Sequence, residues 1–112
     1  MTEERLPTHL WVGAKIRYCD QQAISAMVRH KGERQSGAVI LKLDLLDGRC
    51  KVLTQARDLD GNLGWMTAFR DGIVSNAEGE EYLERSIKRD PDVWVVEIEH
   101  QDGWHPFEGK EI

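Results

Sequence analysis

The sequence predicts an α+β fold: a two-layer sandwich of about five mainly antiparallel strands with two helices, in the order β-α-β-β-β-α-β. Three observations carry this prediction. Five stretches alternate with a period of two or run nearly unbroken in aliphatic residues, which is strand patterning. The Asp47-Gly48 pair and the DLDGNLG segment punctuate three of these stretches as consecutive hairpins, which implies antiparallel pairing. Two stretches of helical spacing interrupt the series, and together they would cover one face of the sheet.

The elements follow in order. From Leu10 to Tyr18, apolar residues at 10, 12, 14, 16 and 18 alternate with Trp11, Gly13, Lys15 and Arg17, which predicts a strand entered after Pro7. Asp20 is placed to cap a helix running through Lys31, with Ala23, Ile24, Met27 and Val28 on its inner side and Gly32 as its stop. Ala38 to Leu45 predicts a strand with Val39, Leu41, Leu43 and Leu45 toward the core, and Lys42 and Asp44 on the other face. After the Asp47-Gly48 turn, Cys50 to Arg57 returns as a weaker strand, and Trp65 to Arg70 completes a meander.

Ser75 and Glu78 have the spacing of a capping box, so a helix begins at Asn76 or Ala77. Tyr82, Leu83, Ser86 and Ile87 form its inner stripe, and Pro91 ends it. The last strand runs from about Asp92 to Glu99, buried on both faces at its start and solvated on one face at its end. The 112 residues fit one domain, with residues 1–8 as a leader and 101–112 as a tail that is loose or docked.

Composition weighs against several classes. The formal charge of -5 argues against a general nucleic-acid binder. No apolar run is long enough for a signal peptide or a membrane span, which predicts a cytoplasmic protein. There Cys19 and Cys50, which form no C-x-x-C pair, serve as reduced, small apolar fillers.

The segment Arg29-His30-Lys31-Gly32-Glu33-Arg34 is the densest basic patch in an acidic chain. Arg29, Lys31 and Arg34, with Ser36 beside Gly37, are the candidate anion-binding residues, since cations and backbone amides together cradle phosphates. The competing explanation is that these cations oppose the dipole of a helix C-terminus. Trp11 and Trp104 fall outside the predicted core and are candidate partner contacts.

No catalytic set emerges. His30 beside Glu33 has no adjacent nucleophile, and His100 with His105 match no standard metal spacing. Glu97 and Glu99 share a face but read as a solvated strand end. Gly61 and Gly64 belong to a turn rather than a phosphate loop. No metal and no cofactor is expected, and the balance leans away from an enzyme.

Two motifs carry a resemblance. Asp90-Pro91-Asp92-Val93-Trp94-Val95-Val96, together with Arg29, Lys31, Gly32, Gly37, Ala38 and Lys42, resembles the domain-of-unknown-function family 1491, small alphaproteobacterial proteins of about this length. Glu33 stands where the family has an aspartate. The resemblance implies a shared fold and lineage and carries no activity. The expected function is a non-catalytic binding or adaptor domain, with a protein partner or a second copy on the sheet face opposite the helices. The alternatives are a small enzyme or sensor that takes an anionic, phosphorylated ligand at the basic loop, and, less favoured by the charge, a nucleic-acid-contacting factor.

Overall fold

The computed structural model describes residues 6–112. The acidic start of the expected leader lies outside the described residues. The architecture is α+β, with two helices and a mixed sheet. In chain order the elements are α1 (Thr8–Gln21), β1 (Ala26–His30), β2 (Val39–Asp44), β3 (Arg49–Arg57), β4 (Leu63–Thr67), β5 (Ile73–Ser75), α2 (Asn76–Arg89), β6 (Trp94–Glu99) and β7 (Lys110–Glu111). The sheet order is β1-β6-β2-β3-β4-β7, and β5 pairs with the start of β3.

The hairpins β2-β3 and β3-β4 are antiparallel as predicted, but β2 and β6 at the centre run parallel. That parallel contact follows from the long crossover through α2, which returns the chain to the same end of the sheet. Both central strands are almost wholly buried.

The two helices do not share a face. Val39, Leu41 and Leu43 of β2 pack with Trp94, Val96 and Ile98 of β6 beneath Val12 and Cys19 of α1. Ile40, Cys50, Val52, Val93 and Val95 face the other way and pack against Leu83 of α2. The expected two-layer sandwich is therefore three layers, helix-sheet-helix. Among the described residues, each sheet face carries a helix, including the face where the sequence placed a partner or a second copy.

The N-terminal third departs most from expectation. The predicted strand at Leu10–Tyr18 is helix α1, whose buried residues Thr8, Val12 and Cys19 lie at helical spacing. Leu10 and Tyr18, placed in the core by the period-two pattern, are instead exposed. The segment is apolar on too many sides for periodicity to decide. Contacts distant in sequence decide it: the N–H groups of Thr8 and His9 donate to the carbonyls of Gln35 and Arg34, and Thr8 Oγ1 donates to Gly37 O.

The helix predicted from Asp20 to Lys31 is correspondingly the edge strand β1. Ala23 takes a left-handed φ of 59°, which ends the helical path, and burial then alternates from Ala26 to His30.

The C-terminal two-thirds follow local chemistry closely. Ser75 caps α2, accepting the Glu78 N–H while the Glu78 carboxylate accepts from Ser75. The β2-β3 turn uses positive φ at Leu46 and Gly48 rather than at Asp47, whose carboxylate accepts from the Arg49 N–H. The tail is docked: Phe107 is buried and β7 adds to β4 in parallel.

Candidate functional site

The two family-like motifs meet in space. The carbonyl of Asp92 lies between Gly32 and Gly37, and a Cβ built on either would stand 2.1 and 2.5 Å from that oxygen. The Glu33 N–H donates to the same carbonyl at 2.9 Å. Trp94 Nε1 donates to Glu33 O at 2.7 Å, and the Trp94 N–H donates to Ala38 O at 2.7 Å. His30 Nδ1 stands 2.8 Å from Val93 O. The glycines are required here by close backbone approach, so the loop from Lys31 to Ala38 is fastened to the head of β6 at several points.

This clamp changes what the basic loop can do. The Glu33 carboxylate turns back and accepts from the N–H of Gln35 at 2.9 Å, the N–H of Ser36 at 2.9 Å and Ser36 Oγ at 3.0 Å. The backbone amides of Gln35 and then Ser36 hold its carboxyl below the usual range. The loop does form an anion cradle, and its own Glu33 fills it. Lys31 and Arg34 are exposed beside it.

Arg29 leaves this group altogether. It is the extra residue of a bulge where β1 changes register against β6, and it reaches Glu80 of α2 and Glu97 of β6. Lys42, only 2% exposed, completes the cluster by pairing with the same two carboxylates. The hydrogen bond from Arg29, then that from Lys42, pulls the Glu80 carboxyl down to about 2 against the effect of burial. Burial by itself would lower the Lys42 ammonium, but the Glu80 hydrogen bond and both carboxylate charges raise it. The cluster ties α2 to the sheet, so Arg29 is spent on internal pairing.

The predicted partner residues divide between two concavities. Trp11 stacks on Trp65 at a centroid distance of 6.3 Å and meets Phe107 edge-on at 5.0 Å. Its Nε1 donates to Glu108 Oε1 at 2.7 Å, while Lys15 pairs with Oε2 and Trp65 Nε1 donates to Glu108 O. Burial favours a neutral Glu108, but Lys15 and Trp11 hold its carboxyl low. Trp104 lies against Tyr18 and His100 beside a smaller hollow of about 350 Å³ that includes Lys15 and His105.

The larger concavity, about 640 Å³, opens where the start of α1, the glycine-clamped loop, the end of β3 and the Asp58–Asn62 turn converge. It brings together Trp11 and Ser36, two residues singled out from the sequence, and leaves Arg29, Lys31, Arg34 and Trp104 outside its lining. Leu6, Pro7 and Leu63 give it apolar walls. Gln55 and Arg57 supply polar groups from alternate positions of β3, with their faces fixed by the sheet. Gln55 Oε1 accepts from the Val39 N–H at 2.7 Å, which leaves its amide N–H groups to face elsewhere. Arg57 Nη1 donates to Gly61 O at 2.8 Å, holding the guanidinium at the mouth.

Nothing local in the sequence marked Gln55, Arg57 or Asn62, because four separate stretches of the chain, the last of them Glu108 of the tail, build this site. Among the described residues, no group of three or more metal-binding side chains comes together, and no helix is long and apolar enough to cross a membrane.

The fold and this cleft define a small α+β protein with a mixed sheet held between two helices. The profile described as Protein of unknown function (DUF1491) matches residues 6–108, and the chain belongs to that family. Solved relatives agree. A crystal structure of a DUF1491 family protein from Caulobacter crescentus CB15 is 35% identical, with a TM-score of 0.86 over 96% of this chain and 100% of that one. An NMR structure of a DUF1491 family protein from the same organism is also 35% identical, with a TM-score of 0.82 over 98% and 100%. A solution structure of a protein from A. tumefaciens is 31% identical over 86% of each chain, with a TM-score of 0.69. No curated protein matches the chain.

Proposed function

We propose that the protein is a non-catalytic cytoplasmic binding domain whose ligand lies in the cleft between Trp11 and Arg57. The ligand is an extended segment with apolar groups for Leu6, Pro7 and Leu63, and an acidic group for the Arg57 guanidinium. A peptide stretch of a partner protein has this chemistry. The observation that carries the proposal is the convergence of four stretches of the chain on one concavity with oriented, partly unspent donors from Gln55 and Arg57.

The chemically reactive side chains support the same conclusion. Burial raises the thiols of Cys19 and Cys50, which makes them poor nucleophiles. His100 Nδ1 and His105 Nδ1 each accept a backbone N–H two residues on, and burial lowers the His105 imidazolium. Glu80, Glu97 and Glu108 are held in ion pairs.

The test is affinity capture from the native cell, run in parallel with the wild type, with Arg57→Glu, and with Lys31→Ala/Arg34→Ala. The proposal expects one partner to be lost with Arg57→Glu and kept with the loop variant. Loss confined to the loop variant would move the site to the basic loop and defeat the cleft assignment.

A further inference from the structure

With both sheet faces covered, the exposed backbone of the sheet lies at its edges, and β1 is one of them. Which of its polar groups are free follows from the ladder. The Glu99 N–H donates to Ser25 O, and the register continues as Ala26 opposite Ile98, Met27 opposite Glu97 and Val28 opposite Val96. In an antiparallel ladder, bonded and non-bonded pairs alternate. Met27 therefore directs its backbone at β6, while Ala26 and Val28 direct theirs away from it. Among the described residues, nothing else pairs with the outward groups of Ala26 and Val28. The Met27 side chain, between them, is 53% exposed.

Edge strands are usually protected by outward-facing charge. Here the one cation on β1, Arg29, is turned inward to Glu80 and Glu97, which neutralise it. The edge is thus an uncharged three-residue strip with two donors and two acceptors, ended on one side by the Arg29 bulge.

We propose that β1 is a self-association edge that pairs antiparallel with β1 of a second copy about a two-fold axis at Met27. The strip is its own complement in this register. Ala26 faces Val28 of the other copy and exchanges two backbone hydrogen bonds, and the symmetric pair exchanges two more. A two-fold centred on Val28 would oppose Ala26 to His30 beyond the bulge and leave half of these bonds unmade. The Met27-centred register also lays the two exposed methionine side chains against each other, in a non-hydrogen-bonded pair whose Cα atoms stand about 4.5 Å apart. The two sheets become one continuous sheet. The dimer is weak and concentration-dependent because the paired strip is short, and it is independent of the cleft.

The test uses the full chain. Wild-type protein followed by light scattering and sedimentation passes from monomer to dimer with rising concentration, and the Ala26 and Val28 amides gain protection from hydrogen exchange over the same range. Met27→Lys sets two like charges opposite each other and raises the dimer dissociation constant about tenfold or more. Met27→Cys forms an intermolecular disulfide under oxidation, since that pair spacing suits one. Cys19 and Cys50 are 1% and 0% exposed and do not compete. Leu59→Cys, on a fully exposed turn, serves as the control that does not cross-link.

Should Met27→Lys fail to fold, the cysteine variant decides alone. A protein that stays monomeric to millimolar concentration, or a dimer that neither cross-links at Met27→Cys nor weakens in Met27→Lys, overturns the proposal. So does protection of Ala26 and Val28 by a strand from another protein in the absence of self-association.

Discussion

Gly32→Ala isolates the contact between the two motifs that mark this chain. The added methyl carbon would stand 2.1 Å from Asp92 O and 2.6 Å from the carbonyl carbon of Val93, both backbone atoms without a rotamer to escape into. Asp92 would have to retreat by about 1 Å to restore ordinary contact. That movement pulls on the Glu33 N–H bond to Asp92 and on the Trp94 indole bond to Glu33. Overpacking of this kind costs about 1–3 kcal/mol, and two weakened hydrogen bonds add about 1 kcal/mol each. The expected loss is about 3–5 kcal/mol, a fall in Tm of about 10–20 °C for a chain this size. Urea and thermal denaturation followed by tryptophan fluorescence measure it. The control is Gly61→Ala, where φ is +83° and the space is open, so only backbone strain of about 1 kcal/mol is expected. If Gly32→Ala costs no more than Gly61→Ala, the loop is not clamped on Asp92 and the account of the motifs fails.

Three further outcomes follow from the core and the ion cluster. Trp94→Ala removes a 5%-exposed indole and leaves the Glu33 carbonyl with only the Gly37 N–H at 3.2 Å, so it should cost about 3–5 kcal/mol in chemical denaturation; an unchanged midpoint would remove β6 from the core. Glu80 should contribute stability that is complete above its ordinary value of 4.5 and lost as pH falls toward about 2, because its folded carboxyl is depressed. Stability of wild type and Glu80→Gln measured from pH 6 to pH 2 should accordingly converge at the acid end, and parallel curves would contradict the pairing. Lys42→Met strands Glu97 beside an Arg29 already shared with Glu80, at an expected cost of about 3–5 kcal/mol, whereas Lys42→Met/Glu97→Met should recover most of it by leaving the Arg29–Glu80 pair in balance. Equal losses in the single and double variants would show that packing rather than charge governs the site.

The candidate site was legible only in fragments. Trp11 and Ser36 stood out by type and position, and both line the cleft, but Gln55, Arg57 and Asn62 become neighbours only after β3 and its following turn are folded against α1. The basic loop drew notice by charge density, which reports nothing about Glu33 folding back into it. Arg29 belonged to that run in sequence and to another surface in space, because a bulge turns it toward α2.

Local chemistry alone determined α2, the β2-β3 hairpin and β6. Their determinants are the Ser75–Glu78 capping box, the turn around Gly48, the stop at Pro91 and the alternation from Val93 to Glu99, all of which act within a few residues. Tertiary structure decided the N-terminal third. Leu10 to Tyr18 alternates well enough to be a strand, yet it is a helix, because its first amides meet the carbonyls of Arg34 and Gln35 and its Val12–Cys19 stripe meets a sheet face already made by β2 and β6. That placement covers the second face of the sheet and opens the cleft. Burial and hydrogen bonding between distant segments outweigh the weak preference of an apolar run for one period over another.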